Sequence, residues 1–162
     1  MRLQSTRDAR HVVGLSEAIA RGLAPDGGLY VPEVLPRLGT EAFAGADGIV
    51  EVARRLLRPF VAGDVLETQL DAITADAFNF PAPVVDVGRA AGPLSVLELF
   101  HGPTLAFKDY GARFLAAVLA RKRDARQRTV LTATSGDTGA AVAAAFWKRP
   151  FVRVVVLFPR GR

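Results

Sequence analysis

The chain has 162 residues, 50% hydrophobic, 23% charged and 8% aromatic, a composition of folded globular proteins that argues against disorder. It has no cysteine, which excludes disulfide scaffolds, thiolate zinc sites and a cysteine nucleophile, and its 2 histidines, His11 and His101, are too few for a histidine-rich metal site. The net charge of +5 is unevenly placed: residues 1–137 carry 16 basic and 16 acidic side chains, whereas the last 25 carry five basic and none acidic.

That basic tail, FWKRPFVRVVVLFPRGR, scatters its charges around an apolar strand, without the aromatic platform or continuous basic helix of a nucleic-acid binder. The excess reads as an incomplete charge count, its balancing acids expected beyond Arg162. No run approaches the ~18 consecutive apolar residues of a spanning helix, and the opening MRLQSTRDARH lacks the apolar stretch of a signal peptide. The expectation is a cytoplasmic protein with no nucleic-acid or membrane partner.

In chain order, LSEAIARGL from Leu15 predicts a short helix stopped by the turn cluster Pro25, Asp26, Gly27, Gly28, with Tyr30 beside the turn. GIVEVARRLLRPFV predicts a helix with Ile49, Ala53, Leu56 and Phe60 on one face. DVLETQLDAITADAF opens on Asp64 with Glu67 three residues on, a capping-box arrangement, and continues with the apolar stripe Leu66, Leu70, Ile73, Ala77. Pro81 and Pro83 then favour an extended connection, and the expected boundary divides a small helical domain over residues 1–80 from a second domain over 81–162.

The second region reads as strand, loop, helix, strand, loop, helix, strand. LSVLELF is the first strand; a helix from Asp109 to Lys122 turns Tyr110, Phe114, Leu115, Val118 and Leu119 toward a core; RTVLTAT, the helix GAAVAAAFW and VRVVVLF follow. Such a βαβαβ run predicts an α/β fold with parallel strands buried on both faces, Trp147 and the phenylalanines in its core. Because the last strand falls at the end of the chain, a parallel-sheet domain that is incomplete at its carboxyl end is expected.

Three segments can carry chemistry. Lys108 is one of three lysines against 18 arginines, set where a loop meets a helix. An amine there can form a Schiff base with an aldehyde cofactor, which an arginine cannot; on position alone an ordinary surface lysine comes first, since most lysines are surface lysines. In Thr134, Ser135, Gly136, Asp137, Thr138, Gly139 the glycines allow close backbone approach, and the following helix aims N–H groups at a bound anion. A plain turn with Asp137 or Thr138 as N-cap accounts for the same residues. His101, in HGPT, can bind a phosphate or shuttle a proton, although a lone loop histidine is more often a structural hydrogen-bonding group.

Together these segments resemble the threonine synthases, pyridoxal-phosphate enzymes of the tryptophan synthase β-like fold that convert O-phosphohomoserine and water to threonine and phosphate. ELFHGPTLAFKDYGARF from Glu98 is similar to the family's cofactor-lysine motif and TATSGDTGAAVA from Thr132 to its substrate and cofactor loop. GLAPDGGLYVPE, FPAPV and LFPRGR are similar to further family segments, while Gln4 stands where members commonly carry an aromatic residue.

The resemblance implies that Lys108 is the catalytic residue, holding pyridoxal phosphate and moving protons at Cα and Cβ. It implies Phe107 and Asp109 as its flanks, Asp137 near the cofactor ring oxygen, and Ser135, Gly136 and Thr138 as binders of the substrate carboxylate, with His101 and Thr104 around the pocket. It implies no metal. Family members are more than twice this length, and their cofactor-phosphate loop and pyridine-nitrogen partner lie in the later portion, so little or no activity and weak cofactor binding are expected of the chain alone. The competing readings are a related phospholyase that releases phosphate without making threonine, and a catalytically inert fragment.

Overall fold

The computed structural model describes residues 1–88, 92–121, 127–150 and 152–161. It contains two compact units, Met1–Ala75 and Asp76–Arg162. The expected helix end at Lys122 and the terminal Arg162 lie outside the described residues.

In the first unit β1 (Arg2–Ser5) pairs antiparallel with β2 (Val12–Gly14) on one side and β3 (Tyr30–Pro32) on the other. The sheet was hidden in the polar opening sequence because only alternate residues of a short strand, Leu3 and Ser5, are buried. The Ser5 hydroxyl and the Gly28 N–H both donate to Asp26 Oδ1, each at 2.8 Å. These bonds, the Gly28 amide foremost, hold the Asp26 carboxyl below its usual range. A side chain at Gly28 would overlap the Ser5 hydroxyl, so the expected turn is also the clasp of the sheet.

Helix α1 (Leu15–Arg21) stops at Gly22, whose φ of 76° suits glycine. Helix α2 (Gly48–Val61) forms over the predicted residues, and its inward face takes in the predicted one except for Leu56. Ala53 and Val61 are buried and Ile49, Val50, Leu57 and Phe60 half-buried, whereas Leu56 is 47% exposed. The segment is apolar at 49, 50, 52, 53, 56, 57, 60 and 61, and a 3.6-residue period does not choose between two adjacent stripes.

Helix α3 (Leu70–Ala77) starts after a single 3₁₀ turn over Glu67–Gln69, later than expected. Asp64 does not cap it: its carboxylate accepts N–H bonds from Leu66 and from Ser16, both at 3.0 Å, while Glu67 accepts from Gly63 N–H at 2.8 Å. The predicted stripe holds, with Leu66, Leu70, Ile73 and Ala77 all buried.

The second unit departs from a continuous parallel sheet. β4 (Val84–Gly88) and β5 (Leu94–Leu97) form their own antiparallel pair, so the first strand of the predicted run faces a strand that hydrophobicity alone did not reveal. Every residue of both strands is exposed, contrary to burial on both faces. The parallel arrangement belongs to β6 (Arg128–Ala133) and β7 (Val152–Leu157), in register from Arg128 opposite Val152 to Ala133 opposite Leu157.

Helices α4 (Lys108–Ala120) and α5 (Asp137–Phe146) build the core beside them. Its buried centre is Ala112, Ala116, Ala141, Ala145 and Phe146, with Leu115 and Leu119 and the strand valines packed around. Val118 is buried as expected, whereas Tyr110 and Phe114 are half-buried. Trp147 is 71% exposed and Phe158 67%, which corrects their placement in a core. Helix α5 ends at Phe146, and the extended backbone of Trp147 carries its ring away from the packed face.

Gly139 is buried where α5 crosses the strands: a Cβ there would lie 2.6 Å from Thr134 Cγ2 and 2.9 Å from Val156 Cγ1. Alanine would gain about 1 kcal/mol of helix propensity and lose more to the overlap. Gly139→Ala is expected to destabilise the chain by about 1–2 kcal/mol net in urea unfolding; an unchanged midpoint would show that α5 can retreat freely.

Asp76 accepts bonds from Arg149 at 2.8 and 2.9 Å and from Arg121 at 3.0 Å. The Arg149 guanidinium first, then that of Arg121, holds its carboxyl below the ordinary aspartate value of 3.8 against the opposing effect of burial. A depressed folded-state pKa contributes stability that is complete above 3.8 and lost as pH falls through the lower folded value. Asp76→Asn should therefore cost about 1 kcal/mol near neutral pH and flatten the acid limb of a melting-temperature profile; a profile parallel to that of the parent would contradict this.

Candidate active site

Lys108 is the first residue of α4, and Phe107, its N-cap, contributes no side-chain cap bond. The Lys108 Nζ lies over the Phe107 ring, 4.1 Å from its centroid, a cation–π contact. Lysine and phenylalanine form one wall of an open hollow of roughly 410 Å³, with Gly111, Ala112 and Leu115 below them and Thr138, Ala141 and Val142 opposite. The hollow exists because small residues line the α4 and α5 faces that meet. Residues thirty positions apart in sequence, Lys108 and Thr138, thereby share one site.

A second hollow of roughly 200 Å³ lies at the carboxyl ends of β6 and β7, lined by Thr134, Ser135, Gly136, Gly139, Val156 and Phe158 among others. The Gly136 N–H donates to Thr134 Oγ1 at 3.1 Å, and Gly139 N–H donates to Gly136 O at 3.1 Å. Gly136, rather than Asp137 or Thr138, is the N-cap, and the α5 terminus has no side-chain cap bond. Such a terminus presents main-chain donors and the positive end of the helix dipole to an anion. The exposed Asp137 lines neither hollow.

His101 and Thr104 are engaged elsewhere. His101 Nε2 is 2.7 Å from Glu98 Oε2, and both Thr104 donors, N–H and hydroxyl, reach the Asp109 carboxylate at 2.8 Å. Asp109 is fully buried, a role that sequence inspection missed. An acid in the first turn of a helix is expected at the surface on dipole grounds alone, and nothing in the spacing shows it turned inward. Among the described residues no group of three His, Asp or Glu side chains could hold a metal, and no helix is long and apolar enough to cross a membrane.

Residues 2–78 match the family model described as "Threonine synthase N terminus". Over its whole length the chain is 43% identical to the threonine synthase of Haemophilus influenzae and covers 37% of that protein. Its fold superposes on the crystal structure of threonine synthase from Escherichia coli with a TM-score of 0.89 and 41% identity, covering 99% of this chain and 37% of that one. The chain is similar, over its whole length, to the amino-terminal portion of these threonine synthases. A PLP-bound threonine synthase from Brucella melitensis is likewise similar, with a TM-score of 0.84, 39% identity, and coverage of 100% of this chain and 36% of that one.

The chain thus spans little more than a third of the length of these threonine synthases. The family model ends at residue 78, so the Lys108 and Ser135 segments lie beyond it, within the part aligned to the whole relatives.

Thr134 has two separable functions at the loop: its hydroxyl accepts from Gly136 N–H, and its methyl packs against Gly139. Thr134→Val keeps the methyl contact and removes the acceptor. Hydrogen exchange at the Gly136 amide should accelerate about tenfold, the equivalent of one lost hydrogen bond, with exchange in α4 unchanged; unaltered exchange at Gly136 would mean that the bond does not hold the loop.

Proposed function

We propose that this chain carries the cofactor lysine and the substrate-carboxylate loop of a cytoplasmic, pyridoxal-phosphate-dependent threonine synthase that converts O-phosphohomoserine and water to threonine and phosphate. In this reading residues 1–80 form the amino-terminal domain and 81–162 the first part of the cofactor domain. The observation that carries it is the shared hollow: the primary amine of Lys108 on one wall and the Thr138 hydroxyl, at the uncapped start of α5, on the other.

The residues present fit the cofactor. Phe107, Ala112, Leu115, Ala141 and Val142 offer apolar surface to a flat ring, and Lys108 offers the only kind of side chain that condenses with its aldehyde. When bound, pyridoxal phosphate supplies an electron sink for charge that develops at the substrate Cα. Lys108 would hold the aldehyde, and its amine would take the proton from the substrate Cα and return one at Cβ, so one amine at one wall would act as base and acid in turn. Ser135, Thr138 and the first N–H groups of α5 bind the substrate carboxylate and orient the Cα–H bond toward that amine.

The resemblance would put Asp137 near the cofactor ring oxygen, although its exposed side chain lines neither hollow. Glu98 orients the His101 ring, which fits a pocket margin better than direct proton transfer. Thr104 acts on the site through Asp109.

Incubation with pyridoxal phosphate, borohydride reduction and peptide mass spectrometry test the assignment. Label is expected predominantly on Lys108 and absent from it in Lys108→Ala. Equal label on Lys108, Lys122 and Lys148 would refute a cofactor site in this chain.

A further inference from the structure

The loop that leads into Lys108 is folded around one buried carboxylate. Asp109 is 0% exposed, and its two oxygens receive the Thr104 N–H and the Thr104 hydroxyl, each at 2.8 Å. Gly102 packs directly against it, so that a Cβ at 102 would lie 2.8 Å from Asp109 Cβ. Burying a carboxylate is unfavourable unless its oxygens are satisfied, and a surface acid would serve the helix dipole equally well. Dipole complementarity therefore does not account for this placement.

The geometry of the helix links Asp109 to its neighbour. Consecutive residues of an α-helix are rotated by roughly 100° about its axis. With Asp109 anchored inward by two bonds, the Lys108 side chain leaves the axis on a different bearing, into the wall it shares with Phe107. The loop is under strain where this alignment is imposed: Leu105 holds a φ of 60°, in the left-handed region, while its side chain is 74% exposed and contributes no burial to keep it there. The Leu105 N–H bond to Gly102 O and the Asp109–Thr104 bonds hold the turn.

We propose that Asp109 is a positioning residue for Lys108: its doubly bonded, buried carboxylate sets the rotation of the first turn of α4, and with it the direction from which the amine meets a bound aldehyde. This inference rests on the reading of Lys108 as the cofactor lysine.

The test measures, on the full chain, the rates at which pyridoxal phosphate labels Lys108 and the exposed Lys148, trapped by borohydride and quantified by peptide mass spectrometry. Lys148 is the internal reference for reagent and exposure. Far-ultraviolet circular dichroism and melting midpoints report folding of each variant. Thr104→Val, which removes one of the two donors, and Asp109→Ala are each expected to lower the Lys108 to Lys148 ratio about tenfold, as for one lost bond to a charged group, at temperatures where both remain folded. Asp109→Asn, whose amide can still meet both Thr104 groups, is expected to retain most of the ratio.

A general loss of stability would change both lysines together, whereas displacement of the first turn changes Lys108 alone. If Asp109→Ala does not fold, Thr104→Val decides, since it leaves the carboxylate in place. Folded variants with the parental ratio would overturn the positioning role while leaving Lys108 as the cofactor lysine. Absence of Lys108 preference in the parent chain would instead overturn that reading, and this inference with it.

Discussion

The site depends on how closely two helices and a pair of strands can approach. Where α4 meets α5 the buried side chains are mostly alanine, and where α5 crosses β6 and β7 the contact residue is Gly139, with no room for even a methyl group. Small side chains lose little conformational entropy on burial and let backbones come near one another. The consequence is positional. The start of α5 and the start of α4 open on one hollow, so an amine from one segment and a hydroxyl from another serve the same volume.

Around that constraint, polar groups determine orientation. The Asp109 carboxylate organises the turn before α4, the Thr134 hydroxyl organises the turn before α5, and Asp76 gathers the guanidiniums of Arg121 and Arg149. In the first unit Asp26 and Asp64 act in the same manner on their own loops. Each is a short acidic or hydroxyl side chain that satisfies main-chain or guanidinium donors, which is the most economical way to define a turn without apolar contacts.

Much of this was legible in the linear sequence, for reasons that can be named residue by residue. Helix α2 and the buried stripe Leu66, Leu70, Ile73, Ala77 follow from periodicity, and β6, α5 and β7 follow from alternation of apolar runs with a glycine-bearing loop. Lys108 and the Ser135 to Thr138 loop stood out by residue type and by their place before helices. Less visible were the strands β1 and β4, one too short and polar, the other adjoining a proline-rich connection. The exposure of Leu56 on α2 and the outward turn of Trp147 were not visible either. In each of these cases the deciding partner is distant in sequence.

The amino-acid sequence by itself determined most of the element types, the absence of thiol chemistry, and the family resemblance, because those depend on local propensity, composition and motif order. Tertiary structure alone decided that Lys108 and Thr138 share a hollow, that β5 pairs with β4 rather than joining the parallel strands, and that Asp109 faces inward. Those outcomes are set by which surfaces meet and which polar groups must be satisfied once they do, quantities that no local stretch of the chain contains.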